Sequence, residues 1–213
     1  MSIRSPYRDA VRLLHILVMG AEPLAVPHES GAMGVLRGEV KLHAYDFWIR
    51  NPDYLAEELL DLHVATGARR YLDQAEAILV LEEPDIRRLP MIRFRFGAYE
   101  RLDDTLALLK SRDLVRVTGT RSGAKVDEWD FLVMPRAYDL AAGIELEFPV
   151  LSWYRERAAL VHEVAGGRSG SALKKRQYQQ ADYAETELGG VIPPITPRVL
   201  ARVCELKGRS GGV

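Results

Sequence analysis

The sequence predicts a protein that is mainly α with a small β hairpin, in the α+β class. Three observations carry this reading. Apolar residues recur at helical spacing in several stretches before residue 81 and again between 98 and 111. Period-two alternation is confined to short runs near residues 92 and 129. Glycine and proline cluster between these stretches. With 213 residues, 47% of them hydrophobic and 28% charged, the chain can bury a sizeable core and lacks the composition of a disordered protein.

The elements follow in order. Residues 6 to 19 read as a first helix, apolar over most of its circumference, which marks it as central. Gly20 and Pro23 end it, and a Pro- and Gly-containing loop follows to about residue 34. A second helix is expected over 35 to 49, with Leu36, Val40, Ala44, Phe47 and Trp48 on one face. A third starts at Pro52, with Asn51 as its cap, Asp53 near its positive end and Gly67 closing it. A further helix spans 70 to 81, and "EEPDIRRLP" reads as a linker. "MIRFRF" alternates, with Ile92, Phe94 and Phe96 on one side and Arg93 and Arg95 on the other.

The strongest helix is expected over 98 to 111, its core face marked by Tyr99, Leu102, Leu106 and Leu109. "LVRVTG" and "DEWDFLVM" then form two strands joined by the polar tip "TRSGAK". Residues 136 to 165 read as helical, interrupted near 143 to 149. A short helix at 197 to 206 lies in the tail. Helix, turn, strand, wing, strand and helix make the back half of a winged helix-turn-helix. The expected organisation is a helical region over 1–67, a winged-helix domain over 68–150 and a helical extension over 151–213.

In a DNA-reading winged helix, the helix before the hairpin enters the major groove and the wing meets phosphate. Here that helix exposes Glu100, Arg101, Asp103, Asp104, Thr105 and Lys110. Each carboxylate near phosphate opposes the counterion release that drives binding. The net charge of −1 supplies no global attraction. Candidate contacts to a DNA backbone are Arg93 and Arg95, on the strand before that helix, and Arg116, Arg121 and Lys125, on or beside the wing. They are weighed against an ordinary solvated hairpin. Lys174, Lys175 and Arg176 read as a basic triplet in a loop.

Catalytic and metal chemistry find little support. Glu39, His43 and Asp46 share a helical face, but no second histidine or thiolate is near in sequence. Asp103 and Asp104 point about 100° apart on a helix, which disfavours a shared acid–base site. There is no Gly-x-Ser-x-Gly elbow, and "GGRSGSALKK" lacks the Walker spacing. No enzyme activity, cofactor or metal is therefore expected. Cys204 is the one cysteine, which fits a reducing, cytoplasmic setting. The run Leu13–Met19 is too short to span a bilayer, so no membrane association is expected. Trp48 and Trp129 read as core residues.

Two stretches together resemble the middle component of three-component ABC/SMC-like ATPase systems, of or bordering the Lamassu type of antiviral defence. In "LHAYDFWIRNPDYLAEELL" the carriers are Leu42, Asp46, Phe47, Arg50 and Pro52. In "RFRFGAYERLDDTLALLKSRDLVRV" they are Arg93 to Gly97, Tyr99, Leu109, Leu114 and Val115. The resemblance covers about residues 10 to 150. Ala98-Tyr99 departs from it, standing where a Pro-Trp pair is the more familiar form. It implies a kleisin-like or winged-helix accessory subunit, bridging an SMC-like ATPase to an effector such as a nuclease. On that implication Asp103, Asp104, Arg101, Tyr99, Trp48 and Arg50 face a protein partner, and double-stranded DNA held by the complex is contacted without sequence preference. The alternative is a stand-alone winged-helix transcription regulator, which requires a basic reading helix.

Overall fold

The computed structural model describes residues 6–25, 28–80, 91–94, 97–99, 102–122 and 125–210. Its contacts divide the chain into two units, neither continuous in sequence. One comprises residues 1–46 and 100–175, the other residues 47–99 and 176–213. These bounds differ from the consecutive ones at 67 and 150. The cause is pairing between segments far apart in the chain, which local sequence signals do not carry.

The first unit is built around α1 (Pro6–Gly20). Leu13, Leu14, Ile16 and Leu17 are all buried, as the apolar circumference predicts. Burying each such side chain contributes about 1.5–3 kcal/mol. The helix packs against α5 (Asp103–Ser111), α6 (Pro135–Glu147) and α7 (Ser152–Ala165). Gly20 does more than end it. A Cβ there would lie 2.7 Å from Leu36 Cδ1 and 2.9 Å from Tyr45 Cε2, so only glycine lets these residues close over the helix end. Arg12 is buried in the same helix. Its Nε donates to Asp46 Oδ1 at 2.6 Å and its Nη1 to Asp9 Oδ1 at 2.6 Å. Those carboxylates outweigh the desolvation that would otherwise discharge it.

The expected hairpin is present as β5 (Val115–Ser122) and β6 (Lys125–Val133), with a bulge between Thr120 and Arg121. It belongs to a four-stranded antiparallel sheet in the order β1 (Glu22–Pro23), β2 (Gly34–Arg37), β6, β5. Gly34 and Val115 both align with Val133, and Leu36 and Val117 with Phe131. Strand β2 falls where a loop and the start of a helix were expected. Its first three residues are all buried, so it shows no alternation, and its partner strand is supplied from far along the chain. Gly38, at φ 87°, then turns the backbone, and α2 (Glu39–Arg50) begins after it. The helix expected from residue 98 begins at Asp103. Gly97–Tyr99 instead forms strand β4, paired with β3 (Ile92–Phe94).

The predicted break between helices lies at Phe148, held at φ −128° and ψ 77° before Pro149. A short 3₁₀ turn, Pro149–Leu151, leads into α7.

In the second unit α3 (Pro52–Thr66) is the central helix, buried at every position from Pro52 to Leu60. Gly67 closes it as expected, at φ 72° with its N–H on His63 O. α4 (Arg69–Val80) runs back against it. Phe47 meets Tyr54 and Tyr183 edge-to-face, with ring centroids 5.0 and 5.4 Å apart. The tail is more ordered than its composition predicts. It holds α8 (Gly170–Gln177), α9 (Ala181–Glu185) and α10 (Thr196–Ser210). No helix among the described residues is long and apolar enough to cross a membrane.

Candidate functional site

The face singled out by sequence is the outer side of α5 with the adjoining hairpin. Asp103 and Asp104 occupy the first turn of α5 and are exposed. Acids there sit at the positive end of the helix dipole, which favours them by a few tenths of a kcal/mol up to about 1. Leu102 and Leu109 turn inward. Thr105, expected on the exposed side, is buried with them.

Beside this helix lies a recess of about 290 Å³. Asp103, Leu106 and Lys110 of α5 form one wall, and Val117, Trp129 and Phe131 of the hairpin form the other, with Glu39 at the edge. Trp129 does not join the core as predicted. Phe131 and Val133, which share its side of the strand by period, are buried, but Trp129 remains 43% exposed. It stands past the edge of the packed sheet, over the recess. Glu39 accepts from His43, which holds its carboxyl below the ordinary glutamate range. The recess thus pairs an indole and aliphatic side chains with a mixed-charge rim. That composition suits a polypeptide better than a phosphate backbone.

The candidate DNA contacts are placed differently from one another. Arg93 belongs to the second unit, where its Nη1 donates to Thr186 O and its guanidinium lies 5.5 Å from the Tyr178 ring centroid. Arg116 belongs to the first unit, and its Nη2 donates to Asp113 Oδ1 at 3.0 Å. Both are engaged within the protein. The backbones of Arg121 and Lys125 lie at the hairpin end of β5 and β6. Arg95 and Arg101 lie outside the described residues, as do the side chains of Arg121, Lys125 and Tyr99.

Trp48 and Arg50, expected to face a partner, are both buried. The apolar stripe that placed Trp48 on a helix face is a core stripe, and Arg50 closes that helix inside the same packing. Lys174, Lys175 and Arg176 lie in α8 and not in a loop. Arg176 bonds Glu58 Oε2 and Asp61 Oδ2. Asp46 is claimed by Arg12, which separates it from Glu39 and His43. Among the described residues no group of three or more His, Cys, Asp or Glu is placed to hold a metal.

A second depression was not marked by the sequence. It runs between α1, α5 and α6 in the first unit and is almost wholly apolar, with Arg112 and Arg136 at its rim. One signal pointed to it: Arg136 sits in the first turn of a helix that has no acidic residue there. No protein-family model, curated protein or solved structure matches the chain.

Proposed function

We propose that this protein is a non-catalytic, kleisin-like or winged-helix accessory subunit of an SMC-like ATPase complex in defence against phage or plasmids. It joins the ATPase head to an effector such as a nuclease, in the cytoplasm. The order α5, β5, β6, α6 supports the winged-helix reading, with β5 and β6 as the wing. One observation carries the choice of a protein partner over DNA. The helix that would read a groove presents Asp103 and Asp104 to solvent beside the half-exposed Trp129. Carboxylates repel phosphate, while an exposed indole next to apolar side chains is the composition of an interface anchor. Non-specific contact with DNA held by the complex is assigned to Arg121 and Lys125 at the hairpin end.

Co-purification tests this. The tagged chain, expressed with its neighbouring genes and washed in high salt, is expected to retain a coiled-coil ATPase in fixed ratio. Replacing Asp103 and Asp104 with lysine is expected to reduce retention at least tenfold. A free dimer that shifts one short DNA sequence at moderate salt would replace this reading with the transcription regulator.

A further inference from the structure

The apolar groove of the first unit has a length, a composition and a charge that together describe an occupant. Ala10 and Leu14 of α1 and Leu109 of α5 form part of its lining and are themselves buried. Leu140 and Ile144 of α6 line one side, and Leu140 is 41% exposed. The volume is about 300 Å³. Arg136, Leu140 and Ile144 of α6 line the groove and are spaced by four. At 1.5 Å per residue this row is about 12 Å long, or a little over two turns of a helix. An open apolar trough of that length fits the side of a helix, whereas small ligands are held in more enclosed cavities.

The charge is more specific. Arg112 caps the C-terminal end of α5, where the dipole favours a cation. Arg136 has no such reason to be where it is. It occupies the first turn of α6, where the dipole opposes a cation by about 0.3–1 kcal/mol. Neither arginine makes a side-chain hydrogen bond or ion pair with any other described residue. A side chain that breaks a local rule without compensation among the described residues marks a candidate functional position.

We propose that this groove seats one amphipathic helix of a partner protein. The helix lies apolar face down, with acidic side chains in the turn beside Arg112 and Arg136. The proposal rests on the adaptor reading for the existence of a protein partner, and adds where the partner binds and by what chemistry. An adaptor needs two dissimilar faces. The acidic outer side of α5 and this basic-rimmed apolar groove suit different segments.

The test uses the full chain and three fluorescein-labelled 16-residue peptides, read by anisotropy. One carries leucines at i, i+4, i+7 and i+11 with glutamates in one terminal turn. The second has lysines in place of those glutamates, and the third has glutamines in place of the leucines. The glutamate peptide is expected to bind at least tenfold more tightly than either of the others. Arg136→Glu, a change on an exposed side chain, is expected to reverse the order of the glutamate and lysine peptides. Leu140→Gln is expected to weaken the glutamate peptide at least tenfold. Failure of that peptide to bind, equal binding of both charge forms, or indifference to both substitutions would overturn the proposal. So would a concentration-dependent dimer abolished by Leu140→Gln, which would give the groove to a second copy. The ATPase is absent from this experiment. Retention of the ATPase without peptide binding removes the groove proposal alone, and peptide binding without ATPase retention removes the adaptor reading alone.

Discussion

Arg12 carries its charge on the buried side of α1. By pattern it is one more polar position on an apolar helix. In the fold it is buried, with carboxylates on two sides. Removing Arg12 takes a guanidinium counter-ion from the buried Asp46 carboxylate. Arg12→Ala is therefore expected to cost roughly 3–5 kcal/mol, measured by urea unfolding, while Arg12→Met with Asp46→Leu recovers most of that loss. If the double variant is no better than the single, the pair is not what makes the site sensitive. Asp53 is a second case. It was legible as an acid at the start of a helix, and its Oδ1 does accept the Tyr54 N–H at 3.0 Å. What could not be read is that its Oδ2 accepts from Ile195 N at 2.6 Å and Thr196 Oγ1 at 3.1 Å, capping α10. Asn51, expected to cap α3, makes no such bond and donates to Phe47 O at 2.8 Å. Asp53→Ala strips the acceptor from a buried N–H, so a loss of about 1–3 kcal/mol is expected in the same measurement.

At the scale of elements, helices were legible where one stripe is apolar and punctuation stands at both ends. α3 has Pro52 and Gly67, and α6 is followed by Pro149. Strands were legible only where one face is wet. β6 shows alternation around Trp129, whereas β2 has no wet face over its first three residues and carries no period. α10 was underestimated for a related reason. Its polar face reads as a solvated surface, yet Arg198 and Arg202 both donate to Glu57 Oε1, and Arg202 also reaches Asp61. Glu57 is buried, so these contacts count for more than exposed pairs do. Glu57→Ala is expected to leave α10 folded but loosely attached to α3. Amide exchange in residues 196–210 should accelerate at least tenfold more than exchange in α1, and uniform acceleration across the chain would assign the effect to global stability instead.

For the whole molecule, the pattern of units was beyond the reach of local periodicity, because residues 1–46 find their partners at 100–175. Within that first unit two histidines make the protein less stable as the pH falls. His15 is 0% exposed, stacked 6.4 Å from Tyr154, with Glu145 Oε1 3.7 Å away and Arg155 paired to that same Glu145. Burial lowers its pKa more than Glu145 raises it, and Arg155 adds to the lowering. His162 shares a hydrogen bond with the Tyr45 hydroxyl at 3.1 Å and is lowered by burial and by Lys41, against Glu22. In both cases the unfolded chain takes up a proton at a pH where the folded chain does not. Stability is therefore fully present above the ordinary histidine pKa of about 6.5 and falls as pH drops toward the lowered values. The slope is at most about 1.4 kcal/mol per pH unit for each proton. Glu39 is also lowered, but its window opens only below the ordinary carboxylate range, and its exposed pairing with His43 makes its share small. A urea midpoint that declines between pH 6.5 and 5 thus reports the histidines. His15→Phe keeps an aromatic ring against Tyr154 and removes the titrating group, so it should flatten that decline. An unchanged slope in the variant would place the pH response on His162 or elsewhere.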